Sequence, residues 1–138
     1  MTDRIVKCVR VAAASIEDQP GGLARVLTGL RKAGADLDLV VARRTAEKPG
    51  TGVVFVAPLG NELVVAAAED LGFNVASLHA LRVEDKNRPG IAAELTTTLA
   101  EAGINLRGLS SAVMGPRFIM HIGLDTAADA SKALRILW

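Results

Sequence analysis

An internal repeat constrains the fold of this chain more than any other feature. Residues 20–37, "PGGLARVLTGLRKAGADL", align without a gap with residues 89–106, "PGIAAELTTTLAEAGINL", at an offset of 69 positions. The two segments share a Pro-Gly pair at the start, an Ala-Gly pair near the end and a polar residue followed by Leu. Agreement of all three features at one spacing predicts two copies of one structural unit.

Each copy has the pattern of a helix followed by a hairpin and a second helix. Two alternating, strand-like segments follow the first helix, and they are separated by the turn sequences "EKPG" and "MGPR". Asn61 and Thr126 stand where they can cap the second helices. Apolar residues recur at helical spacing after each Pro-Gly pair, namely Leu23, Val26, Leu27 and Leu30 in the first copy and Ile91, Leu95 and Leu99 in the second.

The strands "RVAAASI" and "HALRV" precede the first helices, so the element order in each copy is β-α-β-β-α. The segment "FNVASL", residues 73–78, adds a final strand to the first copy. This order is typical of the ferredoxin-like βαββαβ fold, an α+β class with antiparallel sheets and helices on one face. We therefore expect a first domain over residues 1–78 and a second over residues 79–138.

The second copy is one strand short, because the sequence ends at Trp138 before any match to residues 73–78. Residues 4–9, "RIVKCV", lie 69 positions before residues 73–78 and precede the first strand in the same way. Either residues 4–9 supply the missing strand, in the same chain or in a partner, or the sequence is truncated at its C-terminus. Both alternatives stay open at this point.

Composition and charge narrow the class of protein. Half of the 138 residues are apolar, and 16 basic residues balance 15 acidic ones, so no basic excess favours a nucleic-acid partner. Cys8 is the single cysteine and cannot form an internal disulfide. The N-terminal segment lacks the pattern of a signal peptide, and no apolar run reaches 18 residues. We expect a cytoplasmic protein with no membrane partner.

The repeated pattern resembles the ACT domain, a regulatory module of amino-acid metabolism. The resemblance rests on the strand, the polar residue and Pro-Gly, the amphipathic helix and the "AG-x-[DN]-[IL]" ending, which both copies contain. It implies that units pair side by side into an eight-stranded sheet and that small effectors, often amino acids, bind at the seam near the loop before the first helix. It also implies assembly as a homodimer or with a partner enzyme.

The second loop, "EDKNRPG" at residues 84–90, is similar to that of the serine-binding ACT domains of phosphoglycerate dehydrogenases. Those loops also end in "NRPG" and use a second Asn after the helix, at the spacing that Asn105 has from Asn87. The resemblance implies that the two amides grip one amino acid. Two positions before Asn87, where the family has His, this chain has Asp85.

Physical chemistry assigns a role to each residue of this loop. A helix N-terminus offers backbone N–H groups to a carboxylate, and Gly90 lets a ligand approach the backbone closely. Pro89 in the first helical turn loses no hydrogen bond. Asp85 is a candidate for holding an ammonium group. The candidates are Asp85, Asn87, Arg88, Pro89, Gly90, Ile91 and Asn105. The alternatives are a helix cap for Asn87, a turn residue for Asn105 and a solvated charge for Arg88.

The first loop, "EDQPGG", is more acidic. Asp18 and Asp36 replace the two asparagines, and Ile16 takes the place of Asp85. Two carboxylates would repel an incoming carboxylate and favour a cation, and Asp18 is also read as a plain helix cap. The candidates in this loop are Asp18, Gln19, Gly21, Gly22, Leu23 and Asp36.

The sequence gives little support for a catalytic motif. His79 and His121 lie in predicted strands and are expected to be packed, and Cys8 is expected to be a small buried residue. No metal or cofactor is expected, and the chain is predicted not to be an enzyme. The predicted function is a small-molecule-binding regulator that acts on a separate enzyme or regulator. The alternatives are a ligand-free interaction subunit and an acylphosphatase-like enzyme using Arg88 and Asn105, for which the Gly-rich loop is missing.

Overall fold

The computed structural model describes residues 4–75 and 79–138, and these fall into two compact units. Residues 4–9 belong with residues 79–138, and we call this group the C-terminal unit. Residues 10–75 form the N-terminal unit. The N-terminal unit is therefore inserted, in chain order, between the first strand of the C-terminal unit and the rest of it. The elements are β1 (Ile5–Val9), β2 (Ala12–Glu17), α1 (Gly22–Lys32), β3 (Leu39–Arg44), β4 (Thr51–Ala57), α2 (Glu62–Asp70), β5 (His79–Lys86), α3 (Ile91–Glu101), β6 (Leu106–Met114), β7 (Arg117–Leu124) and α4 (Ala127–Leu137).

The C-terminal unit has a four-stranded antiparallel sheet in the order β1-β5-β7-β6. Strand β1 pairs with β5 over its whole length, with Val6 opposite Val83. Alternate residues of β7 face the core, as its sequence predicts. The core joins these strands to α3 and α4, through residues that include Val6, Val83, Leu95, Leu99, Met120, Ile122 and Leu137.

The N-terminal unit has a three-stranded antiparallel sheet in the order β2-β4-β3, with α1 and α2 contributing to its core. Beside β2, Asn74 forms an isolated antiparallel bridge with Ala13 through two backbone hydrogen bonds of 3.2 and 2.7 Å. The predicted fourth strand covers residues 73–78. Its residues 76–78 lie outside the described part of the chain.

The α+β class with antiparallel sheets is confirmed, and so are the predicted caps of the second helices. Asn61 accepts hydrogen bonds from the N–H groups of Leu63 and Val64, and Thr126 accepts one from Asp129. The strands of residues 4–75 and 79–138 form a three-stranded sheet and a four-stranded sheet. No helix in these residues is long and apolar enough to cross a bilayer.

One packing prediction is wrong. Cys8 is exposed and is not a buried filler. The reason is its position on β1, because an edge strand has a neighbour on one side only and its outer positions stay in solvent.

Packing of β1 predicts a measurable contribution to stability. Val6 is 2% exposed, so Val6→Ala removes two buried methyl groups and should lower the free energy of unfolding by about 2 kcal/mol. Ile5 is 50% exposed on the same strand, and Ile5→Ala should cost about 0.5 kcal/mol or less. Urea unfolding measured by circular dichroism, with amide exchange of β5 as a local probe, tests the difference. Equal effects of the two substitutions would contradict the docking of β1.

Candidate functional site

The loop between β5 and α3 is held in place by the turn between β6 and β7. The backbone N–H of Asn87 donates to the carbonyl of Pro116 at 2.8 Å. The N-terminal unit repeats this contact, because the N–H of Asp18 donates to the carbonyl of Gly50 at 3.1 Å. In both units the strand-to-helix loop is therefore anchored on the hairpin turn beside it.

Helices α1 and α3 begin at glycines, which corrects two predictions of the sequence analysis. Gly21 and Gly90 are the N-cap residues, with φ of 87° and 81°, and neither helix has a side-chain cap. Asn87 and Asp18 are therefore not caps, because the cap position falls three residues later on a left-handed backbone that glycine adopts without strain. Pro89 precedes the cap and lies outside the helix.

The N-terminus of α3 thus has backbone donors without a side-chain acceptor. Ile91 donates to the carbonyl of Arg88 at 3.2 Å, and regular helical bonding resumes with Glu94 donating to Gly90. The N–H groups of the first turn and the helix dipole together favour an anionic group at this position. Asn87 and Gly90 are both exposed beside it.

Asn87 and Asn105 lie at opposite ends of the C-terminal unit. Strands β5 and β6 are each antiparallel to β7 and therefore run in the same direction. Asn87 follows the end of β5, where Lys86 pairs with Arg117 of β7. Asn105 precedes the start of β6, where Leu106 pairs with Leu124 at the other end of β7. The seven residue steps between these rows span roughly 23 Å. One small ligand cannot contact both amides within a single unit.

Asp85 is buried and its carboxylate is engaged inside the protein. It is 5% exposed. Oδ2 accepts from Arg4 Nε at 2.9 Å, and Oδ1 accepts from the backbone N–H of Lys86 at 2.7 Å. Burial alone would raise the pKa of Asp85, but the hydrogen bonds from Arg4 and Lys86 outweigh it and hold the pKa below its usual value. The carboxylate that the sequence analysis assigns to a ligand ammonium is therefore occupied by Arg4.

Arg4 is the residue that sequence reasoning missed. Its side chain also donates from Nη1 to the carbonyl of Leu137 at 3.3 Å, so it joins β1, β5 and the end of α4. A signal for it exists in the repeat. At the offset of 69, Arg4 aligns with Phe73 and Asp85 with Ile16, so the two charged residues replace two apolar ones together.

Arg88 forms an exposed ion pair, and Glu84 forms partly exposed ion pairs. Arg88 Nη2 contacts both carboxylate oxygens of Glu94 at 2.8 Å, and the hydrogen bond to Glu94 raises the pKa of Arg88. Glu84 accepts from Arg82 at 3.1 Å and from Arg117 at 3.4 Å, and the bond from Arg82 leads the effects that lower the pKa of Glu84. Arg88 is thus a surface charge, because an exposed pair of this kind exchanges readily with solvent.

The first loop is more closely packed than the second. Asp18 Oδ2 accepts from Arg44 Nε at 2.9 Å, and Gln19 donates to Glu17. Gly22 is buried, and a Cβ atom there would collide with the backbone carbonyl of Glu17, whereas its counterpart Ile91 has room for a full side chain. Asp36 is exposed before β3, away from Asp18. Leu23 packs against the apolar core of the N-terminal unit.

The histidines and the acidic residues do not form a catalytic or metal cluster in the described ranges. His121 is buried and His79 is partly buried, in line with the packing role predicted for them. In residues 4–75 and 79–138, no group of three or more His, Cys, Asp or Glu residues is placed to hold a metal ion.

The ion pair between the partly buried Arg4 and the buried Asp85 predicts a pH dependence of stability. A carboxyl group whose pKa is lowered on folding stabilises the folded state above its ordinary value of 3.8, and this stabilisation is lost as the pH falls through the folded pKa. Asp85→Asn should cost about 2 to 3 kcal/mol at pH 7, because Arg4 loses its partner, and should flatten the loss of stability below pH 4. Urea unfolding between pH 3 and 7 measures both effects. Glu62→Gln, which breaks the exposed pair with Arg10, is the control and should cost less than about 1 kcal/mol. An equal effect of the two substitutions would count against the pair.

Several solved structures share this fold. A protein of Bacteroides thetaiotaomicron superposes with a TM-score of 0.77 at 17% identity, covering 94% of this chain and 88% of its own. The regulatory subunit of aspartate kinase from Thermus thermophilus gives a TM-score of 0.66 at 19% identity, with 97% and 93% covered. The corresponding subunit from Thermus flavus gives 0.64 at 19% identity, with 97% and 94% covered. At these identities the likeness establishes the fold. No curated protein sequence matches the chain.

A comparison with sequence models of protein families concerns part of the C-terminal unit. The sequence model of the ACT domain matches residues 79–135. The matched range begins with β5 and extends into α4, and it includes the loop with Asn87 and the helix that starts after Gly90. Residues 79–135 of this chain therefore match the ACT domain family.

Proposed function

We propose that this protein is a non-catalytic regulator that binds a small molecule, with amino acids as the ligand class, and acts on a separate partner. The ACT domain in residues 79–135 supports a regulatory role. The likeness to the regulatory subunits of aspartate kinase supports a similar arrangement, in which a regulatory chain acts on a catalytic one. We extend the same assignment to the N-terminal unit, whose element order and loop anchor match those of the C-terminal unit.

The ligand carboxylate is assigned to the N-terminus of α3. The backbone donors of the first turn and the absence of a side-chain cap support this assignment. Asn87 is exposed three residues before the N-cap Gly90, and its amide is assigned to donate to the carboxylate or accept from the ammonium group. Because Arg4 engages Asp85, amide and backbone oxygens are the acceptors we assign to the ammonium group.

Asn105 is assigned to the same ligand through a second copy of the chain. Asn87 and Asn105 lie at opposite ends of one unit, so a small ligand cannot contact both side chains within that unit. If β6 of one copy lies antiparallel to β6 of another, the start of each β6 meets the end of the other. Asn105 of one copy then lies at the end of the partner's unit where the Asn87 loop is held against its hairpin turn.

The edge of β6 has the composition of a strand that pairs. Apart from Arg107 near its start, β6 contains no charged residue and no proline, two of the features that protect an exposed edge. Leu109 is 44% exposed and Val113 is 55% exposed on this strand. In contrast, the edge strand β3 of the N-terminal unit ends in Arg43 and Arg44. The open edge of β6 therefore favours a dimer through the C-terminal units.

Ligand binding is tested by a thermal-shift panel of the twenty amino acids. A ligand at 100 times its dissociation constant should stabilise the protein by about 2.7 kcal/mol. Asn87→Ala and Asn105→Ala should each weaken the binding of the stabilising amino acid about tenfold, because each removes a hydrogen-bonding amide. If no amino acid raises the melting temperature, the chain is a ligand-free interaction subunit instead.

Mixing the two variants tests the shared site. Each homodimer lacks one amide at both sites. The mixed dimer contains one intact site, made of Asn87 from the Asn105→Ala chain and Asn105 from the Asn87→Ala chain. Co-refolding the variants should therefore restore binding near the wild-type affinity to about a quarter of all sites, as measured by calorimetry. Failure to restore it, with both single variants impaired, would place the two amides at separate sites.

The dimer itself is tested at the edge of β6. The double substitution Leu109→Lys and Val113→Lys places like charges on both copies of the strand and should weaken self-association at least tenfold in sedimentation equilibrium. Leu63→Lys is the matched control, because Leu63 is an exposed leucine on α2 and lies on no sheet edge. Unchanged association of the double variant would rule out pairing through β6.

A further inference from the structure

The Arg4–Asp85 pair links the docking of β1 to the start of the loop at residues 87–90, which we call the ligand loop. Arg4 precedes β1 and reaches Asp85 in β5, a residue 81 positions away in the sequence. The second oxygen of Asp85 holds the backbone N–H of Lys86, the last residue before the loop. Three groups are thus connected in series, from the N-terminal strand through a buried carboxylate to the backbone that enters Asn87–Gly90.

The duplicated unit shows that the fold does not need this ion pair. The positions of Arg4 and Asp85 correspond to Phe73 and Ile16 in the N-terminal unit. Phe73 is buried in the apolar core of that unit, and Ile16 packs against the same core. The same element order therefore forms with two apolar residues at these positions.

Physical chemistry supports a role other than stability for the pair. Moving two charges out of water is costly, and apolar replacements of a buried ion pair are often neutral or stabilising. In contrast, the hydrogen bonds that Asp85 accepts from Arg4 and from the backbone N–H of Lys86 have a directional geometry that an apolar contact lacks. Arg4 and Asp85 thus give the C-terminal unit a defined connection between β1 and the loop at a position where the other unit has only packing.

We propose that Arg4 is a positioning residue of the ligand loop, so that loop conformation and the docking of β1 are coupled through Asp85. The loop is the binding element of the proposed function, and to that extent the proposal rests on it. Coupling of this kind is reciprocal, so a ligand held by the loop strengthens the docking of β1, and release of β1 lowers the affinity of the loop for the ligand. Strand β1 is also the element that directly precedes the N-terminal unit in the chain, because only two residues separate it from β2.

The decisive experiment replaces the ion pair by the apolar pair of the N-terminal unit. In the full-length double variant Arg4→Phe and Asp85→Ile, urea unfolding should give a stability equal to or above that of the wild type. Amide exchange of residues 86–91 should nevertheless become at least tenfold faster, while exchange of β7 stays unchanged. The single variant Arg4→Lys, which keeps both Asp85 and the positive charge, should retain most of the protection. Arg10→Gln, at the exposed pair with Glu62, is the control and should leave the loop unchanged.

Two outcomes would overturn the proposal. One is a stable double variant whose loop exchanges at the wild-type rate. The other is a double variant that binds the probe L-serine with wild-type affinity, if the wild type binds it. A coupled loop should instead lose about tenfold in affinity, and serine should slow exchange of β1 in the wild type alone. If the wild type does not bind serine, the proposed function fails for that ligand. The amide-exchange rates of residues 86–91, measured without ligand, still decide whether Arg4 positions the loop.

Discussion

The pairing of β1 with β5 is the interaction on which the C-terminal unit depends. It joins residues that are more than seventy positions apart and provides the outer strand of a four-stranded sheet. Val6 enters the core through this pairing, and Arg4 reaches Asp85 because of it. The cost of closing such a long loop grows only slowly with its length, so the separation in sequence is a small obstacle to the burial of Val6.

Strand direction determines what the candidate site can contain. Two strands that flank a common antiparallel neighbour run the same way, so residues that follow one strand and precede the other are always at opposite ends of the sheet. This rule separates Asn87 from Asn105, although their spacing in sequence matches that of a serine-binding loop. The rule applies equally to Asp18 and Asp36 in the N-terminal unit. A site that uses both positions therefore cannot form within one unit.

The sequence predicts the α+β class and the two capped helices because these features depend on local patterns. The repeat, the helical spacing of apolar residues and the caps at Asn61 and Thr126 are all contained within short segments. The site is less predictable. Whether Asp85 points to solvent or to Arg4 depends on a contact across 81 positions, and whether Asn87 caps α3 depends on the left-handed backbone of Gly90. Cys8 is exposed for a similar reason, because a strand pattern does not reveal which strand is at the edge.

The interleaved order of the units has a consequence for the order of folding during synthesis. Domains generally fold in the order in which they leave the ribosome. Ile5–Val9 emerges early, but its partner β5 begins only at His79. All elements of the N-terminal unit up to α2 are complete before that residue is made. The nascent chain therefore carries a short, largely apolar strand without its partner while the N-terminal unit forms.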